Sequence, residues 1–187
     1  MNNIPKHSAA TDGSALTHDF LQELSKEQLV NLLEIYAKNW LALDGFWFLS
    51  LEEKLGMDKA MEHDVAAWRQ FTVTEANRLK EFLGLSERPG LEGLAQALHL
   101  RLYGRVNKHS CEICGNKLIF RNIECRVQTA RARKGMEFHP CKEVAMHEYS
   151  SFGTAIDDRI TCRCLSCYPD CTEDATGCAW EYTLHED

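Results

Sequence analysis

The sequence has no apolar segment long enough to cross a bilayer. Its most apolar stretch, residues 40–51, is interrupted by Asp44, Gly45 and Ser50, whereas a membrane helix needs about 20 mostly apolar residues. The N-terminal residues also lack the apolar core of a secretory signal peptide. We therefore expect a cytoplasmic protein that has no membrane partner.

The chain is short of positive charge, with 21 Lys and Arg against 28 Asp and Glu and a net charge of −7. This balance argues against non-specific nucleic-acid binding, so we expect no nucleic-acid partner. Residues 117–134 have the opposite balance, with six basic side chains and a single acid, Glu124. Such a segment either holds an anionic ligand or forms a solvated helix face, and the sequence leaves both open.

Cysteine is absent from residues 1–110, although the chain contains nine cysteines in total. Thiols that crowd into one segment of a cytosolic protein usually bind a metal or do redox chemistry, because the cytosol keeps disulfides reduced. The distribution of cysteine therefore predicts that the chemistry lies in the C-terminal part of the chain.

The pattern of apolar residues predicts an α+β fold with a helical N-terminal part and a small, sheet-containing, cysteine-rich C-terminal part. We expect a frayed segment over residues 1–18, a helical region over 19–106 and a metal-binding α+β region over 107–187. The predicted helices run from the Ser25 capping box to Gly56 and over 58–83, 91–106 and 127–135. The predicted strands cover 118–120 or, in a longer alternative, 118–125, together with 155–164 and 179–184.

Two pairs of cysteines have the spacing of a zinc knuckle, Cys111 with Cys114 and Cys164 with Cys167. About fifty residues separate the pairs, more than in a typical double knuckle. An iron–sulfur cluster is the alternative, because Cys164, Cys167 and Cys171 resemble part of a ferredoxin motif, although the proline that usually follows is missing. Some of the cysteines are expected to be small buried side chains and nothing more.

Cys141 is isolated in the sequence, with Lys142 beside it and His139 and His147 nearby. A neighbouring cation lowers the pKa of a thiol and makes it a better nucleophile, so Cys141 is a candidate catalytic residue as well as a candidate metal ligand. Glu148 is a second candidate, as a zinc ligand, a general base or a salt-bridge partner, and the sequence does not decide among them.

Two carboxylates lie on apolar helical stripes, Asp44 beside Trp47 and Asp64 beside Trp68. A carboxylate on a buried stripe must find a partner or raise its pKa. These four residues are therefore candidates for a small-molecule site. The alternative is that each aspartate lies at the solvated edge of its stripe.

Residues 22–185 resemble a bacterial and archaeal family of cytosolic proteins of unassigned function. The resemblance depends on short motifs spread along the chain, including 44–48, 125–128, 131–135, 140–142, 148–149, 156–160, 164–170 and 178–182. The cysteine-containing end is similar, more distantly, to 4-vinyl-reductase-type sensor domains and to the L-2-amino-thiazoline-4-carboxylate hydrolase group. In the sensor domains a cysteine-bound zinc lies beside a small-molecule pocket, which implies the same arrangement here.

The family resemblance also separates the cysteines into two groups. Cys111 and Cys114 replace acidic and apolar residues of the family, and Cys162 and Cys171 are additional. The first knuckle is therefore either a second metal site or a pair of surface thiols. The resemblance implies a main metal site that is formed by Cys125, Cys141, Cys164, Cys167 and Cys178.

These observations predict a zinc-binding protein that binds or senses a small molecule. The first alternative is a hydrolase that cleaves a C–N bond with the metal or with Cys141, while Arg126 or Lys142 holds a substrate carboxylate. The second alternative is an iron–sulfur redox protein. Many thiolates favour a closed, structural zinc shell, because they neutralise the metal. A homodimer is left open.

Overall fold

The computed structural model describes residues 20–172 and 174–186 and has the predicted α+β fold. Its described residues up to Tyr36 form one compact unit, and those from Ala37 onward form another. The prediction of a frayed segment over residues 1–18 lies outside the described residues. None of the described helices is both long and apolar enough to span a membrane.

The two long helices begin and end where sequence signals place them. Helix α1 covers Lys26–Leu55, and its capping box is formed as predicted: the Ser25 amide donates to Gln28 Oε1 at 2.8 Å, and the Gln28 amide donates to Ser25 Oγ at 3.2 Å. Gly56 ends the helix with a φ of 82°, a conformation that favours glycine. Helix α2 then covers Met57–Phe82.

Helix α3 covers Gly90–Leu100 and is shorter than the predicted 91–106. Arg101 leaves the helical conformation, with a φ of −55° and a ψ of 156°, and a 3₁₀ turn follows over Leu102–Arg105. The side chain of Arg101 is 2% exposed and forms an ion pair with Glu75 of α2 at 2.9 Å. The prediction of a longer helix was wrong because this buried pair requires the chain to turn inward.

The C-terminal half contains a four-stranded antiparallel sheet with the order β1-β2-β4-β3. The strands are β1 (Lys108–Cys114), β2 (Lys117–Glu124), β3 (Ile160–Ser166) and β4 (Cys178–Leu184). Helix α4 (Arg126–Arg133) and helix α5 (Lys142–Ile156) lie between β2 and β3 in the chain. The strand that the sequence predicts over 155–164 begins only at Ile160, because α5 continues to Ile156.

Strand β1 and helix α5 are the two elements that the sequence did not predict. Strand β1 is mostly exposed or half-buried, so its alternation of polar and apolar residues is weak. Helix α5 buries Val144, Tyr149 and Phe152, but the charged Glu148 lies on the same buried face. A charged residue within an apolar stripe hides the periodicity that would identify the helix.

Helix α5 packs on the sheet at Gly153. A side chain added at Gly153 would place its Cβ 2.9 Å from Cε1 of Tyr182 on β4. Tyr182 is fully buried in the core that α5 shares with the sheet, together with Phe152 and Trp180. Glycine at position 153 therefore permits the close approach of α5 to the sheet.

Gly153→Ala is expected to destabilise the protein, because the added methyl group would overlap the Tyr182 ring, which the surrounding core holds in place. Overpacking a core costs about 1–3 kcal/mol, which exceeds the ~1 kcal/mol that alanine gains over glycine in a helix. Gly45→Ala in α1 is the control, since an added Cβ there meets no atom within 4 Å, and it should be neutral or stabilising. Urea unfolding of both variants measures the difference, and equal free energies of unfolding would contradict this account of the α5 contact.

Part of the apolar surface of α1 is exposed in the described chain, although Trp40 packs against α2. In the part of α1 after Ala37, Leu43 is 59% exposed, Phe46 is 67% exposed and Trp47 is 66% exposed. Ala37 is the buried residue that α1 contributes. The homodimer that the sequence left open stays a prediction.

Candidate functional site

A cavity of about 380 Å³ lies within the unit that begins at Ala37. Its lining comes from α1, α2, the 3₁₀ turn, β2, α4, the 136–141 segment, α5 and β4. Cavities of roughly 300–1,000 Å³ with mostly apolar walls are typical of small-molecule sites. The cavity is therefore large enough for a small ligand, and residues distant in the sequence build it.

One wall of the cavity is aromatic. Trp68 of α2 and Tyr103 of the 3₁₀ turn both line it, and their rings stack with centroids 5.5 Å apart. Trp40 supports both from behind, edge-on to Trp68 at 6.1 Å and to Tyr103 at 5.5 Å. Phe48 of α1 lies edge-on to the ring of His139 at 4.6 Å. These contacts fix the rings and give the cavity rigid, flat surfaces.

The lining of the cavity also carries a cluster of three thiols, Cys141, Cys167 and Cys178. The Sγ atoms of Cys141 and Cys167 are 3.6 Å apart, and Cys167 is also in hydrogen-bonding contact with the thiol of Cys178. Cys125 lines the same cavity, and burial raises the pKa of its thiol to about 12. Of the five predicted ligands, Cys164 on β3 is the one that does not line the cavity.

Side-chain N–H groups donate to two of the three sulfurs. Gln128 Nε2 donates to Cys141 Sγ at 3.5 Å, while Asn122 Nδ2 and Trp180 Nε1 donate to Cys178 Sγ at 3.4 Å and 3.3 Å. A hydrogen bond to the charged form of a group stabilises that form. The pKa of Cys178 is accordingly lowered, chiefly by the hydrogen bond with Cys167 and then by Trp180 and Asn122 against the effect of burial.

His139 connects the thiol cluster to a carboxylate. Gln128 holds its backbone on both sides, with the His139 amide donating to Gln128 Oε1 and Gln128 Nε2 donating to the His139 carbonyl, each at 2.9 Å. Nε2 of His139 lies 3.5 Å from Asp64 Oδ2. The side chain is buried, and its Nδ1 has no hydrogen-bond partner in the described part of the chain.

The charges of His139, Asp64 and Cys141 support one another. Burial alone would lower the pKa of His139, but the Asp64 carboxylate and the Cys141 thiol raise it to about 9. The hydrogen bond from Cys167 and then the interaction with His139 lower the pKa of Cys141 to about 5, against the opposing effect of burial. Both shifts favour a thiolate at Cys141 beside an imidazolium at His139.

Asp44 and Asp64 both line the cavity, which favours the ligand-site interpretation of these two stripes. Burial and then repulsion from Asp64 raise the pKa of Asp44 to about 6, while His139 has the opposite effect. Asp64 interacts with His139, whereas no described residue donates a hydrogen bond to Asp44 or forms an ion pair with it. Asp44 is thus a cavity carboxylate without a partner in the described chain.

Glu148 also lines the cavity, and the buried Arg101 neutralises its charge. Arg101 NH2 lies 2.7 Å from Glu148 Oε1, and Arg101 Nε donates to Glu75 Oε2 at 2.9 Å. The guanidinium also lies over the rings of Tyr149 and Phe152. Burial raises the pKa of Glu148 to about 7, although Arg101 lowers it. Of the three roles considered for Glu148, the structure shows the salt-bridge partner.

The other predicted site residues lie in different places. Trp47 is exposed and does not line the cavity, and Lys142 points to Asp170 at 2.6 Å. Arg126 lines the cavity with an exposed side chain. Cys111 and Cys114 are three residues apart on the extended strand β1, so their side chains leave opposite faces of the sheet.

The basic segment 117–134 is not simply a solvated face. Arg131 is 6% exposed and forms a bidentate ion pair with the Glu52 carboxylate, with hydrogen bonds of 2.8 Å and 2.9 Å. Lys134 lines the cavity with an exposed side chain. The segment therefore contributes one structural ion pair and two exposed cations, Arg126 and Lys134, to the surroundings of the cavity.

Sequence reasoning missed three polar residues of the site: Asn122, Gln128 and, as a site residue in its own right, His139. Gln128 and Asn122 are 3% and 6% exposed. The available signal was weak, because a single amide in a basic helix or on a polar strand resembles an ordinary surface residue. Gln128 and Asn122 are buried because of how α4 and β2 pack in the fold, and the neighbouring residues in the sequence do not indicate that packing.

The donor chemistry of the thiol cluster fits zinc. Two sulfurs bound to one tetrahedral zinc at about 2.3 Å lie roughly 3.8 Å apart, close to the 3.6 Å between Cys141 and Cys167. Within residues 20–172 and 174–186, however, no group of three or more His, Cys, Asp and Glu side chains is arranged as a metal site. The described thiols hydrogen-bond to one another instead.

The fold and the cavity define an α+β protein with a thiol-lined pocket. A family model described as a family of unknown function (DUF6125) matches residues 22–184. Because this match covers most of the chain, the protein belongs to that family. Among the curated proteins compared with the chain, none matches.

Proposed function

We propose that the protein binds a small molecule in this cavity and that the thiol cluster beneath it holds zinc. The convergence of Cys141, Cys167 and Cys178 on one side of a 380 Å³ cavity carries the proposal. The aromatic wall, which Trp68 and Tyr103 form, gives the ligand an apolar surface. The resemblance of the cysteine-containing end to zinc-binding sensor domains agrees with this assignment.

Cys141, Cys167 and Cys178 would hold the metal, with Cys125 as a further donor on the same cavity. Bound zinc would exchange the thiol–thiol hydrogen bonds for metal–thiolate bonds and would stabilise the junction of α5, β4 and the segment after β3. The N–H donors Gln128, Asn122 and Trp180 would then orient the sulfurs and share their negative charge. Several thiolates weaken zinc as a Lewis acid, so the proposed role is structural.

Cys167→Ser is expected to abolish zinc binding, because Cys167 is the thiol that contacts both of the others. Protein purified without oxygen should contain about one zinc per chain and no visible colour, and the variant should contain none. Cys114→Ser is the matched control, since Cys114 is exposed at the end of β1 and does not line the cavity. Elemental analysis and circular dichroism measure metal content and folding in all three proteins.

Other metal contents lead to different conclusions. If the protein contained iron and sulfide and had a broad visible absorption band, the thiols would bind an iron–sulfur cluster and not zinc. Wild-type protein that contains no metal and takes up none from added zinc would contradict the metal site. If the Cys167→Ser variant kept its full zinc content, the metal site would lie elsewhere in the protein.

A hydrolase is the second candidate function, because Cys141, His139 and Asp64 form a nucleophile–base–carboxylate series on the cavity. In such a reaction on an amide, the Cys141 thiolate attacks the carbonyl carbon and forms a C–S bond. The C–N bond then breaks, and the leaving nitrogen takes its electron pair and a proton from His139. Water attacks the resulting thioester and gives a proton to His139, the C–S bond breaks, and Cys141 leaves as a thiolate.

A further inference from the structure

Asp44 is the feature of the cavity that the proposed function leaves unexplained. It lies on α1, lines the cavity and is partly buried, yet within the described chain it has no hydrogen-bond donor and no ion-pair partner. A partly desolvated carboxylate without a partner is unfavourable. A ligand that brings a positive charge would remove this cost.

The charges around Asp44 favour a cation over an anion inside the cavity. Asp64 also lines the cavity, and its carboxylate adds negative charge that repels Asp44. The buried Arg101 is occupied by Glu75 and Glu148, and Arg131 is occupied by Glu52. The three further cations on the lining, Lys38, Arg126 and Lys134, have exposed side chains, so water screens them.

The aromatic wall has the surface that an organic cation prefers. The faces of Trp and Tyr rings attract positive charge through their quadrupole, and Trp68 and Tyr103 are held stacked on the same cavity. A ligand with one cationic group and a flat apolar body matches Asp44 and the aromatic wall.

We infer that the cavity binds an organic cation, such as an amine or amidine on a flat apolar group, and that Asp44 recognises its charge. This inference rests on the proposed small-molecule function and names the ligand class. It makes Asp44 a binding residue, whereas the thiol cluster is the proposed metal site.

The test compares three probes of similar size by calorimetry at pH 7.5: benzylamine, benzyl alcohol and benzoate. Wild-type protein should bind benzylamine about tenfold more tightly than benzyl alcohol and should bind benzoate least. Asp44→Asn should weaken benzylamine about tenfold and leave benzyl alcohol within about twofold, since one buried charge contact contributes roughly a factor of ten in affinity. Glu53→Gln removes the same charge from an exposed position of α1 outside the lining and should change neither.

The pH dependence of binding to the wild-type protein gives a second test. Because the pKa of Asp44 is raised to about 6, its carboxylate is mostly ionised at pH 7.5 and mostly protonated at pH 5. Benzylamine affinity should therefore fall about tenfold over this interval, while benzyl alcohol affinity stays constant. Other titratable groups on the same lining are Asp64, Tyr103, His139, Cys141 and Glu148. The Asp44→Asn variant is therefore measured at both pH values, and it should lose most of the pH dependence of benzylamine binding.

Each outcome has a distinct meaning. Equal affinity for benzylamine and benzyl alcohol, or an Asp44→Asn variant that leaves their ratio unchanged, would overturn the inference and leave small-molecule binding intact. Tightest binding of benzoate would overturn it in favour of an anion site. If no probe binds, small-molecule binding in this cavity fails and the inference fails with it, whereas the zinc content tests the thiol cluster separately.

Discussion

Replacing Arg101 with leucine is expected to destabilise the protein by about 3–5 kcal/mol, the range measured when one partner of a buried ion pair is removed. Arg101 is 2% exposed and lies between Glu75 and Glu148, at 2.9 Å and 2.7 Å. Without it, two carboxylates stay buried at the junction of α2 and α5. Since domains unfold with about 5–15 kcal/mol, the loss would leave little stability.

The pH dependence of the Arg101→Leu variant follows from Glu148. Burial raises the pKa of Glu148 and Arg101 lowers it, so its pKa rises further in the variant. A carboxyl whose folded-state pKa exceeds its unfolded value contributes stability at low pH and loses it as the pH rises through the folded value. The variant should therefore be less destabilised at pH 5 than at pH 8.

Urea unfolding at both pH values measures this effect. Arg105→Leu is the control, because Arg105 lies in the same 3₁₀ turn with an exposed side chain. Adding Glu148→Gln to Arg101→Leu should recover part of the stability, since a neutral amide is cheaper to bury than a carboxylate. If Arg101→Leu and Arg105→Leu unfold with the same free energy, the buried ion-pair network does not stabilise the fold.

The long helices could be predicted because their end signals are local. Ser25 and Gln28 cap α1 within one turn, and Gly56 and Gly84 adopt the positive φ that ends α1 and follows α2. The end of α3 could not be predicted, because Arg101 turns inward to meet Glu75, 26 residues away in sequence. Local patterns identify elements, whereas long-range buried charges decide where some of them stop.

The candidate site could be predicted only in part for the same reason. Asp44, Asp64 and Trp68 were identified because a carboxylate on an apolar stripe is visible in the sequence, and the structure brings all three to the cavity. Trp47 shares the stripe of Asp44 but is 66% exposed. The choice between neighbours on one helical face depends on the rotation of α1, which the packing of the whole unit determines.

Cys141 is expected to react with iodoacetamide at low pH, which distinguishes a nucleophile from an ordinary thiol. Its pKa of about 5 means that alkylation should rise through pH 5 and reach a plateau above about pH 6. His139→Gln removes the neighbouring positive charge, so the pKa of Cys141 should rise toward its ordinary value and the plateau should move to higher pH. The protein is first treated with a chelator to remove bound metal. Peptide mass spectrometry then measures the alkylation of Cys141 separately from that of the other cysteines.

The size of the His139→Gln effect follows from two opposing changes. If the pKa of Cys141 returned fully to its ordinary value, the thiolate fraction at pH 6 would fall about a thousand-fold, and the more basic thiolate would regain roughly 60-fold in intrinsic nucleophilicity. Labelling at pH 6 would then fall about 17-fold. Because the hydrogen bond from Cys167 is the larger cause of the lowered pKa and stays in place, the loss should be smaller than this limit. His63→Gln, an exposed change on α2, should have no effect.

The same measurement separates the two candidate functions. Zinc added before labelling should protect Cys141 if the thiol cluster holds metal, because a metal-bound thiolate is a weaker nucleophile. Rapid labelling that zinc does not suppress would favour the hydrolase, in which Cys141 stays free and His139 keeps it ionised. A Cys141 that labels only at the pH of an ordinary thiol, in wild type and His139→Gln alike, would contradict the thiolate–imidazolium pair on which the hydrolase depends.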